Sequence, residues 1–373
     1  MTTLQQILDE QYAAGRVPGA VALVRRGGET EVATVGERVI GGPPMTRNSI
    51  FRIASITKPI VAAATMVLVE RGVLGLDDAV DAWLPELADP KVLRDPSGSL
   101  DDVVPADRAI TVRDLLTLRG GHGFTADVGS PLGTALQEQL RQGPPRPELV
   151  APPDEWMALL GELPLAHQPG EGWSYNVGSD VLGVLLARAG KTSLGELLAE
   201  LVLEPLGMKD TGFWTRDAER LTSYYEKGKD GFELVDPPDG QWTSPPPFES
   251  GAGGLVSTAD DWCAFGSMLL EGGGKILSPE SVRLMTTNQV QLDPDNPFLD
   301  GQGWGFGGGV DVRQKDPWNV PGRYGWVGGT GTAGYVIPSG GTVVVWLSQV
   351  ELFGSEGMLA MAEVQTYAAQ SAG

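Results

Sequence analysis

Strand-forming segments in this chain gather at its two ends. Ala20–Arg25 and Glu31–Val35 read as two early strands joined by the turn Arg26-Gly27-Gly28-Glu29. The β signal then fades and returns only after Gly251, at Gly305–Val312, Tyr324–Ile337 and Thr342–Gln349, the last two split by Pro338-Ser339-Gly340-Gly341. Between the two sets, apolar residues recur at helical spacing in Val112–Leu118, Glu155–Leu160, Ser179–Ala189 and Ser193–Val202. Leu4–Gly15 opens the chain as a helix and Met358–Ala369 closes it. Two strands early and three late, bracketing a helical middle, predict an α+β fold. One antiparallel sheet is built from both chain ends and flanked by helices, and an all-helical lobe is inserted between its halves. The expected division is residues 1–75 and 248–373 for the two parts of the α/β lobe and 76–247 for the mainly helical lobe.

One helix stands apart. Ile56–Glu70 is apolar on nearly every face, which predicts burial, and Arg71-Gly72 ends it with a basic residue and a C-cap glycine. Ser55-Ile56-Thr57-Lys58 lies where an irregular segment meets this helix. A serine there can expose its Oγ while backbone N–H groups point toward developing negative charge. A lysine three residues later falls on the same helical face, within reach of that Oγ. Its charge is expensive inside an apolar helix without a task or a partner. No other serine in the chain has a lysine three positions on. An ordinary N-cap serine with a snorkelling lysine would read the same way on these four residues.

Two further segments bear on the chemistry. Tyr175 lies in Trp173-Ser174-Tyr175-Asn176-Val177-Gly178, on a loop before an amphipathic helix. It is either a core aromatic or the proton acceptor that a serine–lysine pair needs, since a nearby cation favours the phenolate. Tyr324-Gly325-Trp326-Val327-Gly328-Gly329-Thr330-Gly331 is a strand with glycines enough for a ligand to approach the backbone closely, or simply a bulged, poorly packed strand.

Charge and composition narrow the function classes. The formal net charge is −21, which disfavours nucleic acid and membrane surfaces as partners. The longest uncharged apolar runs, such as Ile60–Val69, are too short to span a bilayer. A single cysteine, Cys263, allows no intramolecular disulfide, and the opening residues lack a basic region followed by an apolar stretch. A cytoplasmic, soluble protein is expected. The only histidines are His122 and His167, and no His-Glu-x-x-His, Cys-x-x-Cys or phosphate-loop pattern occurs. No metal or other cofactor is expected. The Gly-x-Ser-x-Gly elbow of the Ser-His-Asp esterases is also absent.

Taken together, the serine–lysine, tyrosine and glycine-strand segments resemble the superfamily of class C β-lactamases, penicillin-binding DD-peptidases and family VIII carboxylesterases. Supporting text runs in family order. It comprises Phe51–Pro59, Gly75-Leu76-Asp77-Asp78, Ile110–Thr117, Pro205–Thr211 and Gly253–Thr258, so the resemblance covers nearly the whole chain. It implies a β-lactamase/transpeptidase-like fold, with Ser55 as acylated nucleophile, Lys58 helping to deprotonate it and Tyr175 as general base. Trp326-Val327-Gly328 matches the family's Lys-Thr-Gly strand, so Gly329 falls where the second oxyanion-hole N–H is supplied beside that of Ser55. His122, in Gly120-Gly121-His122-Gly123, is either a cleft-lining residue or a plain loop residue.

Two departures point within the superfamily. Val177 stands where lactamases and peptidases carry the asparagine of Tyr-x-Asn, losing an amide that would bind a substrate carbonyl. Trp326 replaces the lysine that would pair with a substrate carboxylate, although Arg323 is close by in sequence. Both changes are typical of the esterase branch. The expectation is a carboxylesterase acting on a small neutral ester. β-Lactamase, D-aminopeptidase or amidase, acyltransferase and a catalytically silent penicillin-binding-like protein are the alternatives, and a homo-oligomer stays open.

Overall fold

The computed structural model describes residues 2–143, 145–291, 296, 298–299, 301–352 and 355–370. A seven-stranded antiparallel sheet is its centre. The strands are β1 (Gly19–Arg26), β2 (Glu29–Gly36), β3 (Gln302–Trp304), β4 (Gly309–Asp311), β5 (Tyr324–Gly328), β6 (Thr332–Ile337) and β7 (Thr342–Ser348), in the order β2-β1-β7-β6-β5-β4-β3. The first two strands and the last five thus meet at the β1–β7 pair, where Leu23 lies opposite Val345.

Period-two alternation decides which core each side chain enters. On β1, Val21 and Leu23 face the main core, whereas Ala20, Ala22 and Val24 face a second core. On β7, Val343, Val345 and Leu347 alternate with Val344 and Trp346 in the same way. Helices α1 (Leu4–Ala13) and α5 (Ser355–Gln370) cover the second core, supplying Leu4, Leu8, Ala360 and Val364. The main core lies on the opposite face and holds α2 (Lys58–Glu70), α3 (Val177–Gly190) and α4 (Ala259–Leu270). Every residue of α2 from Lys58 to Leu68 is buried, as a helix apolar all round requires.

Several boundaries differ from the sequence reading. Tyr324–Ile337 is two strands, because Gly329-Thr330-Gly331 turns the chain and Gly331 takes a φ of +83°. The helix expected from Ile56 begins at Lys58, after a tight turn over Ala54–Thr57. Segment 76–247, expected as an all-helical lobe, holds helices such as Pro131–Leu140 and Pro153–Gly161 and also two small hairpins, Lys91–Leu93 with Val103–Pro105 and Tyr224–Gly228 with Gly231–Asp236. Among the described residues no helix is long and apolar enough to cross a membrane.

Candidate active site

Ser55 sits in the tight turn that launches α2, and two features fix it there. Ala54, just before it, holds a φ of +44°, a strained value for a residue with a side chain. The segment is also sewn to the sheet. Thr330 Oγ1 donates to the Arg52 carbonyl at 2.6 Å and Thr332 Oγ1 to that of Ile53 at 2.8 Å. Such close approach demands glycine at 328, where a Cβ would lie 2.5 Å from the Ile53 carbonyl oxygen. At Gly329 a Cβ would meet nothing within 4 Å, so open space faces that residue.

Lys58 begins α2 and is 1% exposed. Its Nζ donates to Ser55 Oγ at 2.9 Å, Asn176 Oδ1 at 2.8 Å and the Ala252 carbonyl at 2.6 Å, and Tyr175 Oη lies 3.5 Å away. The ammonium also stands 4.7 Å from the centre of the Tyr175 ring. Burial pushes the Lys58 pKa down to about 7, and the negative charge of Asp180 opposes that shift. Tyr175 moves the other way. Burial raises its pKa, while hydrogen bonds with Ser55 and Trp326 pull it back. Lysine and tyrosine can therefore share one proton at neutral pH, which is what a base for Ser55 needs.

Tyr175 is held from all sides. Its backbone pairs with Phe124 in both directions, N–H to carbonyl at 2.8 and 2.9 Å. Its ring packs against Trp173 and Phe298, each centroid 5.7 Å away, and those two rings lie 6.0 Å from one another. The Trp326 indole N–H donates to Tyr175 Oη at 2.7 Å, and its ring meets Trp304 edge-on at 4.8 Å. Trp326 is thus more than the apolar wall expected from the sequence: its one polar atom serves the tyrosine. Trp326 and Phe298 also line a cavity of about 530 Å³, together with Val327, Tyr335, Met358 and Met361.

Two sequence candidates fall away from the cleft. Val177 is fully buried in the main core at the first turn of α3. The reason is a γ-turn. Asn176 adopts φ +80° and ψ −67°, and the Val177 N–H returns to the Tyr175 carbonyl at 3.2 Å. This reversal turns the Asn176 amide onto Lys58 and Val177 inward. His122 is 5% exposed, with Nε2 3.3 Å from the Leu163 carbonyl, and burial drives its pKa down to about 4. It lies two residues before the Phe124 that pairs with Tyr175, with its ring buried against the Leu163 carbonyl. Arg323 is likewise occupied, donating to Asp311 at 2.8 Å and Gln365 at 2.6 Å. Asn176 and the Ala252 carbonyl were missed by sequence reasoning. Asn176 stood beside Tyr175, but only its positive φ reveals its task.

The profile of the family described as Beta-lactamase matches residues 4–367. Esterase EstB of Burkholderia gladioli is 33% identical over 82% of this chain and 78% of its own. Protein Rv1367c of Mycobacterium tuberculosis is 39% identical, with 92% and 89% covered. Among solved structures, EstCE1, described as a hydrolase with promiscuous acyltransferase activity, superposes with a TM-score of 0.80. Its identity is 26%, and the match covers 98% of this chain and 97% of that one.

Proposed function

Since the chain belongs to the Beta-lactamase family, a superfamily of serine hydrolases and acyltransferases, we propose that it is a serine carboxylesterase acting on short-chain esters through an acyl-enzyme on Ser55. The observation that carries this reading is the cluster Ser55–Lys58–Tyr175–Trp326, with Lys58 Nζ 2.9 Å from Ser55 Oγ and the indole on Tyr175 Oη. The 33% identity to Esterase EstB supports it.

In the first step the Lys58–Tyr175 pair takes the Ser55 proton as Oγ bonds to the ester carbonyl carbon. The carbonyl oxygen gains the charge and is met by the N–H groups of Ser55 and Gly329. When the carbon–oxygen bond to the alcohol breaks, the pair returns its proton to that oxygen and the alcohol leaves. Water then repeats the sequence on the acyl-enzyme, releasing the acid and restoring Ser55. A β-lactam must bring its carboxylate into the cleft, and a buried charge is tolerated only with a partner. Trp326 presents an aromatic ring where the lactamase pattern has a lysine, and the Arg323 guanidinium is taken up by Asp311 and Gln365. A neutral ester needs no such partner and gains from the apolar walls.

The test compares kcat/KM for p-nitrophenyl butyrate and for nitrocefin. The ester is expected to be favoured by at least about a hundredfold, the scale of one unpaired buried charge. Comparable efficiencies would overturn the esterase assignment. Acyl transfer to an acceptor other than water is the second reading, favoured by the likeness to EstCE1. It predicts a mixed ester as product when an alcohol is added.

A further inference from the structure

The mechanism above leaves unused a buried carboxylate that hydrogen bonds join to Lys58. Asp180, on the first turn of α3, is 2% exposed. Its Oδ2 accepts from Gln142 Nε2 at 2.9 Å; Gln142 Oε1 accepts from Asn176 Nδ2 at 2.8 Å; Asn176 Oδ1 accepts from Lys58 Nζ at 2.8 Å. Its Oδ1 accepts from Ser250 Oγ at 2.6 Å and from the Ala252 N–H at 3.0 Å, and the carbonyl of that same Ala252 accepts from Lys58. Two routes, one through side-chain amides and one through the N–H and carbonyl of Ala252, therefore join Asp180 to the lysine.

We propose that Asp180 is a positioning residue for the acyl-transfer base, acting through Gln142 and Asn176 to keep an oxygen aimed at Lys58. An ionised carboxylate only accepts hydrogen bonds. It compels Gln142 to present its NH₂ to Asp180, hence its oxygen to Asn176. Asn176 must then offer NH₂ to Gln142 and oxygen to the lysine. Reversing either amide would bring donor against donor, in a site where Gln142 is itself 8% exposed and finds little water to compensate. A charged Lys58 selects the Asn176 oxygen by itself, so the relay matters most when the lysine is a neutral amine that can accept as well as donate. The strained γ-turn at Asn176 is the backbone cost of placing that amide there.

Charge follows the same path. The titratable groups facing Lys58 are Ser55 and Tyr175, with Asp180 beyond them; the direct partners of Asp180 are the neutral Gln142, Ser250 and Ala252. The carboxylate holds a proton on the Lys58–Tyr175 pair to higher pH than burial alone would allow. Deleting the charge lets the pair lose that proton at lower pH. The acid limb of the rate profile then moves downward, whichever of the two groups holds the remaining proton.

This inference rests on the acyl-transfer reading, and the experiment separates the two. With the full chain, the rate of Ser55 labelling by an alkyl fluorophosphonate and kcat/KM for p-nitrophenyl butyrate are measured against pH. The proteins are wild type, Asp180→Asn, Gln142→Leu and the double variant Gln142→Glu/Asp180→Asn. Asp180→Asn is expected to lower the plateau at least about tenfold and to move the acid limb down by about one unit. Gln142→Leu cuts the relay while keeping the carboxylate, so it lowers the plateau and stands in should Asp180→Asn fail to fold. The double variant puts an acceptor-only group back into the chain, between two amide NH₂ groups, and is expected to recover plateau and limb together. A purely structural role for Asp180 would give no such recovery. Wild-type profiles in Asp180→Asn, or a double variant no better than the single, would overturn the inference alone. A wild type neither labelled at Ser55 nor active on the ester would overturn the acyl-transfer reading and this inference with it.

Discussion

Trp326 gives the cleft its character. An indole in place of a lysine removes a cation from the cleft and at the same time adds a hydrogen-bond donor to the base, through its 2.7 Å contact with Tyr175 Oη. These two effects are separable. Trp326→Phe keeps an aromatic ring against Trp304 while deleting the N–H together with part of the ring volume. A charge-assisted hydrogen bond is worth about 1.5–3 kcal/mol, so kcat on p-nitrophenyl butyrate is expected to fall roughly ten- to hundredfold with KM nearly unchanged. An unchanged kcat with a raised KM would reduce Trp326 to a substrate wall. The pH profile of the wild type follows from the neighbouring lysine. With the Lys58 pKa depressed to about 7 by burial, both Lys58 and Tyr175 are protonated below that pH and neither can take the Ser55 proton. Activity should therefore fall tenfold per unit as pH drops below about 7. The Ser-x-x-Lys spacing and the family resemblance brought Ser55, Lys58 and Tyr175 forward as candidates, and the fold places their side chains together. Asn176 and Asp180 were not, since an asparagine on a loop and an aspartate on a first helical turn have common structural uses. Only the γ-turn and the burial set these two apart.

The strand β5 positions the cleft through close backbone approach as well as through the Trp326 side chain. Gly328 brings it against the turn that carries Ser55, and Thr330 and Thr332 lock the contact to the Arg52 and Ile53 carbonyls. Adjacent glycines thus have different reasons to exist. Gly328→Ala would drive a methyl group into the Ile53 carbonyl and Thr332, and overpacking of this kind costs about 1–3 kcal/mol. Its Tm and kcat should both fall, whereas Gly329→Ala, with open space at its Cβ, should retain the wild-type Tm. Equal melting temperatures for the two variants would contradict the close approach of β5 to Ala54–Thr57. The sequence announced a glycine-rich strand here but ran it on to Ile337. Periodicity does not mark a turn inside an apolar run, and the break at Gly329–Gly331 appears only as backbone geometry.

At the scale of the whole molecule, the sheet closes only when the two ends of the chain pair as β1 and β7. The strand signals made this arrangement readable, because β1 and β7 are apolar on both faces and feed two cores by alternation. The short hairpins of the inserted segment were hidden, since strands of three residues such as Lys91–Leu93 carry too little pattern to be seen. That pairing brings β5 against the Ser55 turn and, with α3 of the inserted segment, assembles one site from residues 55, 58, 175 and 326. The claim that depends on all of these parts is that turnover passes through an acyl group on Ser55. Acid-quenched turnover of p-nitrophenyl butyrate, followed by peptide mass mapping, tests it most directly. The account predicts a butyryl group on the Ser55 peptide that vanishes on chase with buffer, together with loss of turnover in Ser55→Ala. A butyryl group confined to another residue, or a Ser55→Ala variant that turns over like wild type, would contradict it.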